Sequence, residues 1–153
     1  MDETNQSRPC QSGSVETSLS FGATAVHLTE EDPRAAASAA TEGRGVDLAV
    51  EAVGNPQALD LACRMARKGG TVSIIGVYAE RAEVHMGIVW LKSLTLVGGQ
   101  ANVMGHLDSV LAMLASGRLD VSPLVSREMR LDEAPDAYAA YDRHEALKIL
   151  LRT

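Results

Sequence analysis

The sequence has few cysteines and no long hydrophobic run, and each scarcity excludes a class of protein. Its two cysteines, Cys10 and Cys63, are too few for the disulfide framework of a small secreted domain. No stretch of about 18 consecutive apolar residues occurs, so we predict no transmembrane helix and no membrane partner. The N-terminus, MDETNQSRPCQSGS, lacks the basic-then-apolar order of a signal peptide. A cytoplasmic location is therefore expected.

An excess of basic residues is also absent. The net charge is −6 at pH 7, whereas nucleic-acid binding depends on basic patches, so we expect no nucleic-acid partner. Hydrophobic residues make up 46% of the 153 residues, which is enough for one domain with a real core. We expect the polar residues 1–14 to form a disordered arm and residues 15–153 to form a single domain.

Strands and helices alternate along the hydrophobic pattern. The run VDLAVEAV (46–53) is bounded by glycines and is typical of a strand buried in a parallel sheet. Asp32-Pro33 and Asn55-Pro56 are helix-start signals, because Asp and Asn cap helices and proline suits the first turn. The other predicted strands lie at 23–28, 71–77, 93–97 and, as strand or helix, 146–151; the predicted helices lie at 15–20, 34–42, 56–68, 88–91, 105–116 and 132–141. This alternation predicts an α/β fold with a parallel sheet flanked by helices.

Seven segments follow one another in a characteristic order from residue 21 to the C-terminus. They are FGATAV (21–26), TEGRGVDLAVEAVG (41–54), ARKGGTVSIIGVY (66–78), LKSLTLVGG (91–99), SGRLDVSPLV (116–125), LDEAPDAY (131–138) and ALKILL (146–151). In this order they resemble the zinc-containing medium-chain alcohol dehydrogenase family. The resemblance implies a partial Rossmann-like, three-layer dinucleotide-binding domain, namely the second half of the cofactor domain and its C-terminal tail. By descent, the chain would be an NAD(P)-dependent oxidoreductase acting on alcohols.

Several parts of that family's pattern are missing from this sequence. The glycine-rich loop G-x-G-x-x-G, which binds the pyrophosphate, occurs nowhere in it. The zinc-carrying catalytic domain and the first two strands of the cofactor sheet have no counterpart either. We therefore expect a truncated chain that binds NAD or NADP weakly or not at all and is inactive alone. Whether it is an enzyme stays open, and no catalytic residue is assigned.

A zinc site is not predicted, because catalytic zinc needs about three protein ligands and the candidates here are scattered. They lack ligand spacing such as C-x-x-C and are Cys10, Cys63, His27, His85, His106 and His144. Glu51 interrupts an apolar strand, and two alternatives are open for it. It could be an acid/base group, or, as we favour, it hydrogen-bonds a neighbouring loop, since a buried charge requires partners.

The carboxyl ends of the strands are the better candidates for a ligand site, because ligands of open α/β sheets lie beyond those ends. Small residues there would let a ligand approach the backbone. The resemblance implies that the ends at 75–77 and 98–101 hold the nicotinamide and that Val53-Gly54 lies along the same cleft. It also implies that Lys148 lies near the pyrophosphate. The predicted cofactor-binding residues are Val53, Gly54, Ile75, Gly76, Val77, Gly99, Gln100, Ala101 and Lys148.

Partners are implied by the resemblance and by what is missing. The strand 93–97 pairs across a dimer axis in the family, so a homodimer through it is one expectation, and Trp90 with Met86 could be interface or core. The other expected partners are a full-length dehydrogenase or a polypeptide carrying the front half. The alternative function is a non-enzymatic oligomerisation or binding module.

The missing strands raise a packing problem. The strand at 23–28 would be separated from 46–53 by three inter-strand spacings, or ~14 Å, which a sheet cannot hold. Three solutions are conceivable: the two strands close up, the N-terminal arm fills the gap, or another chain covers the edge. We favour the first, because the intervening helix permits a right-handed crossover. Otherwise 46–53 exposes an apolar edge, which is an aggregation hazard.

Overall fold

The computed structural model describes residues 12–28 and 30–153, with side chains from residue 15 onward. The predicted arm, 1–14, lies outside this range except for its last three residues, which begin the first helix. The elements are α1 (Ser12–Ser20), α2 (Pro33–Ala40), β1 (Val46–Glu51), α3 (Pro56–Met65), β2 (Ala66–Ile74), α4 (Met86–Lys92), β3 (Thr95–Gly98), α5 (Val103–Ala115), β4 (Arg127–Arg130), α6 (Ala134–Asp142) and β5 (Ile149–Arg152). The described residues group into two compact units, one of residues 26–103 and the other of residues 12–25 with 104–153.

The first unit, residues 26–103, is built on a parallel sheet of order β1-β2-β3. Helix α3 packs against this sheet with the apolar stripe expected from its 3–4 residue spacing. The buried core consists of Ala49, Leu59, Ala62, Cys63, Ala66 and Val72. The predicted α/β class with a parallel sheet flanked by helices is confirmed.

Both helix-start signals act as the sequence predicts. The Asp32 side chain accepts a hydrogen bond from the Arg34 N–H at 2.9 Å, and a proline follows it in the first turn of α2. The Asn55 side chain accepts from the Ala58 N–H at 2.7 Å at the start of α3. Each cap satisfies a backbone donor that the helix itself cannot satisfy.

The boundary between α3 and β2 differs from the prediction. The helix ends at Met65, before the two glycines expected to close it, and β2 already begins at Ala66. The pairing of β1 with β2 is irregular between Val46 and Leu48, and this irregularity absorbs the segment around Gly69, whose φ is +68°. The glycines therefore shape a bulged strand start rather than a helix end.

The predicted strand at 23–28 is wrong, and so is the favoured closing of the sheet. The chain turns there instead, with the His27 carbonyl accepting hydrogen bonds from the N–H groups of Glu30 and Glu31. Residues 23–27 form no strand, and none of the described strands pairs with β1 on its outer side. Within the described residues, β1 pairs only with β2 and is an edge strand, as expected if the strands do not close up.

The second unit contains a two-stranded parallel sheet of β4 and β5, on which α6 packs. Ala137, Ala140 and Ala146 are its buried apolar residues among those described. The C-terminal segment is a strand, so the helical alternative for it is wrong. None of the helices in the described ranges has the length and hydrophobicity needed to cross a membrane.

Candidate functional site

The carboxyl ends of β1 and β2 come into direct backbone contact. The N–H groups of Ile75 and Gly76 donate to the Glu51 carbonyl at 2.9 and 3.0 Å. A Cβ atom placed on Gly54 would lie 2.3 Å from the Val77 carbonyl oxygen, and one placed on Gly76 would lie 2.3 Å from the Gly54 nitrogen. Side chains cannot fit at that separation, so both positions require glycine.

The buried side chain of Glu51 holds the two strand ends together. Its side chain is 2% exposed, and one carboxylate oxygen accepts hydrogen bonds from the N–H groups of Val53 and Gly54 at 2.7 and 2.8 Å. The other oxygen accepts from the Tyr78 hydroxyl at 2.8 Å. Every partner belongs to the loops that follow β1 and β2, which supports the favoured structural role for Glu51.

The electrostatics agree with a carboxylate that stays charged. Burial by itself would raise the pKa of Glu51, but hydrogen bonds from Gly54, Tyr78 and Val53 outweigh it and hold the pKa below its ordinary value. Burial and the hydrogen bond to Glu51 raise the pKa of Tyr78 to about 12. Neither Glu51 nor Tyr78 is therefore suited to exchange a proton near neutral pH, as a general acid or base would.

The structure brings most of the predicted cofactor-binding residues to one edge of the first unit. The 53–54 and 75–77 segments lie side by side, and the exposed fractions are 71% for Val53, 60% for Ile75 and 87% for Val77. Residues 99–101 follow β3, whose Gly98 is paired with Ile74, so they leave the sheet at the same edge. Lys148 belongs to the second unit, just before β5.

Sequence reasoning missed Tyr78 and Lys92. The signal for Tyr78 was the carboxylate of Glu51 itself, because a buried charge requires a partner of the kind a hydroxyl supplies. Lys92 donates from its ammonium group to the carbonyls of Cys63, Arg64 and Ala66, at 3.2, 2.6 and 2.7 Å. It therefore caps the end of α3 from α4, a contact that no local pattern in the sequence indicates.

No three His, Cys, Asp or Glu side chains of residues 15–28 and 30–153 cluster in a way that could hold a metal ion. Cys10 lies outside those residues. Cys63 is buried, and burial raises the pKa of its thiol, which disfavours the thiolate that binds metal. The absence of zinc from this chain stays a prediction.

A parallel sheet flanked by helices, with backbone accessible at its carboxyl edge, defines the Rossmann type of α/β protein. The family described as "zinc-binding dehydrogenase" matches residues 11–116, and the chain belongs to that family. This membership confirms the resemblance to the C-terminal cofactor domain of zinc-type medium-chain alcohol dehydrogenases.

Individual relatives agree with this assignment. A probable zinc-binding alcohol dehydrogenase of Mycobacterium tuberculosis is 35% identical over 83% of this chain and 33% of its own. The structure of an alcohol dehydrogenase from Thermus sp. ATN1 superposes with a TM-score of 0.86 at 41% identity, over 91% of this chain and 41% of its own. A putative zinc-binding dehydrogenase from Sinorhizobium meliloti, solved bound to NADP, gives 0.79 at 28%, over 94% and 43%. The chain thus spans well under half the length of these relatives.

Proposed function

We propose that this chain supplies the nicotinamide side of the cofactor cleft in an NAD(P)-dependent oxidoreductase that acts on alcohols. The observation that carries the proposal is the glycine-only contact between the ends of β1 and β2, held together by Glu51. Such bare backbone at the carboxyl edge of a parallel sheet is suited to the close approach of a flat ring. A bound NAD(P) would supply the hydride chemistry.

The residues present suit one side of that cofactor. Val53 and Gly54 would face it from β1, Ile75 to Val77 from β2 and Gly99 to Ala101 from β3. A role for Lys148, in the other unit, stays a prediction from the family resemblance. The donors that usually hold a pyrophosphate come from a glycine-rich loop at a helix N-terminus, and this sequence contains no G-x-G-x-x-G. The 153-residue chain by itself therefore binds NAD(P)H weakly or not at all and is inactive.

A fluorescence titration of NADH and NADPH tests both statements. The 153-residue chain should give no saturation at concentrations on the order of 10 μM, whereas adding a polypeptide with the front half of a related dehydrogenase should produce binding. In that mixture Val77→Glu should abolish binding, because it places a carboxylate in the cleft. Val121→Glu, the same change at an exposed position of the other unit, should not. Tight binding by the chain alone, or equal effects of both variants, would contradict the proposal.

An oligomerisation module, pairing with itself or with a full-length dehydrogenase, is the second candidate. It is favoured by the outer edge of β3, the end strand of the sheet, and by nearby apolar side chains. Trp90 is 81% exposed and Met86 63%, so the interface alternative for them stands and the core alternative is wrong.

Sedimentation velocity distinguishes this candidate. If β3 is the interface, Val97→Lys should shift a dimer to monomer, while Val50→Lys on the opposite edge strand should leave it intact. Both side chains are 54% exposed, which makes the pair a matched comparison. A monomer at all concentrations up to about 100 μM would count against self-association.

A further inference from the structure

Basic side chains converge on one cavity in the first unit. The cavity has a volume of about 300 Å³ and lies beside the starts of β1 and β2, at the opposite end of these strands from Gly54. It is lined by Arg34, Arg44, Arg64, Arg67, Lys68 and Lys92. These are six of the 14 Lys and Arg residues in a chain whose net charge is −6, so positive charge is strongly concentrated here.

Carboxylates neutralise only part of this charge. The Asp47 carboxylate accepts hydrogen bonds from both terminal nitrogens of Arg44, at 2.7 and 2.8 Å, and from Nε of Arg67 at 2.5 Å. Asp60 pairs with Arg64 at 2.5 Å. No other carboxylate pairs with the six side chains in the part of the chain that the structure describes, so two negative charges face six positive ones.

Donors remain free to bind a ligand. Arg34 and Lys68 are exposed, and among the described residues neither side chain has an ion-pair partner. A guanidinium carries five N–H donors, and the paired arginines of the cavity use only some of theirs. Burial is the main cause that lowers the pKa of Lys92, and the nearby guanidinium of Arg34 lowers it further.

We propose that this cavity binds a compact multivalent oxyanion of the phosphate or pyrophosphate class. Guanidinium groups match phosphate oxygens in two-point contacts, and four arginines and Lys68 line this one small volume. Lys92 adds positive charge beside it, while its ammonium group donates to three backbone carbonyls. Nucleic acid would instead call for basic residues spread along a face or groove. The inference is independent of the cofactor cleft, because it uses the other end of the strands and none of the residues assigned to that cleft.

Calorimetric titration of the 153-residue chain with pyrophosphate, at constant ionic strength, tests the proposal. One site should saturate, and Arg34→Gln with Lys68→Gln should weaken binding by about tenfold or more. The charge-conserving Arg34→Lys with Lys68→Arg should keep most of the affinity. The matched control is Arg81→Gln with Arg118→Gln, which removes the same charge from exposed positions outside the cavity and should leave affinity within about twofold.

Several outcomes would overturn the proposal. Heats that do not saturate would mean that no site exists, and equal weakening by both double variants would mean that pyrophosphate responds only to overall charge. Loss of binding in Lys148→Gln would assign the anion to the second unit. Binding of a single-stranded oligonucleotide that pyrophosphate cannot displace would make the surface a nucleic-acid site. Circular dichroism of each variant confirms that the fold is retained.

Discussion

At the scale of single residues, the candidate site depends on two glycines and one buried carboxylate. Gly54 has a φ of +83°, a backbone conformation that side chains disfavour, and it also lies against the Val77 carbonyl. Glu51 joins the two loops through three hydrogen bonds. The shape of the strand ends therefore depends on the small size of Gly54 and on the fully hydrogen-bonded carboxylate of Glu51.

Gly54→Ala should be much more destabilising than Gly43→Ala. Both glycines have positive φ, +83° and +79°, so each substitution incurs about 1–2 kcal/mol of backbone strain. A Cβ on Gly54 also meets backbone at 2.3 Å, whereas nothing lies within 4 Å of one on Gly43. We expect an additional loss of about 1–3 kcal/mol in the free energy of unfolding, measured in urea. Equal losses would show that the contact relaxes freely.

Tyr78→Phe should flatten the loss of stability at alkaline pH. The folded pKa of Tyr78, about 12, exceeds its ordinary value of 10.0 because of burial and the Glu51 hydrogen bond. Its contribution is thus fully present below pH 10 and is lost as the pH rises toward 12, where the unfolded chain releases the proton more readily. The wild type should lose unfolding free energy more steeply than Tyr78→Phe in that window. Tyr138→Phe, at a side chain that is 75% exposed, is the control and should follow the wild type.

At the scale of elements, α2 and α3 begin with local caps, whereas the end of α3 makes a tertiary contact. The caps of α2 and α3 are formed by the residues directly before them. The end of α3 instead receives the ammonium group of Lys92, 26 to 29 residues away. This contact satisfies carbonyls at the end of α3, three residues earlier than the sequence predicts that end, and β2 follows directly.

Lys92→Met should destabilise the first unit by removing that cap. The carbonyls of Cys63, Arg64 and Ala66 lose a charged donor, and we expect a loss of about 1–3 kcal/mol in the free energy of unfolding by urea denaturation. Lys68→Met removes the same charge at an exposed position and should change stability by no more than about 0.5 kcal/mol. A Lys92→Met protein as stable as Lys68→Met would mean that the cap contributes nothing.

At the scale of the whole molecule, the chain leaves much apolar surface exposed. Parallel sheets are normally covered on both faces, yet Leu48 and Val50 of β1 are 55% and 54% exposed. The apolar side chains of α5 are exposed as well, including Leu107, Val110 and Leu111. Exposed apolar side chains on an edge strand favour aggregation.

Leu48→Lys with Val50→Lys should reduce aggregation through the β1 edge, a process separate from dimerisation through β3. Lysine on an edge strand opposes the edge-to-edge pairing that exposed apolar strands promote. Light scattering at increasing protein concentration should show less aggregate than for the wild type. Ala39→Lys with Ala40→Lys adds the same charge at exposed positions of α2 and should have little effect. If both pairs act alike, net charge rather than the β1 edge controls aggregation.

The sequence by itself determined the family, the alternation of strands and helices, the caps at Asp32 and Asn55, and which strand ends carry small residues, because these depend on order, periodicity and neighbouring residues. Only the tertiary structure decided that 23–28 is not a strand, that α3 ends at Met65 with Lys92 donating to its last carbonyls, and that Glu51 is satisfied by Tyr78, 27 residues further on. These features arise from contacts between residues distant in sequence. Their energies depend on burial and on available partners, which a local pattern does not contain.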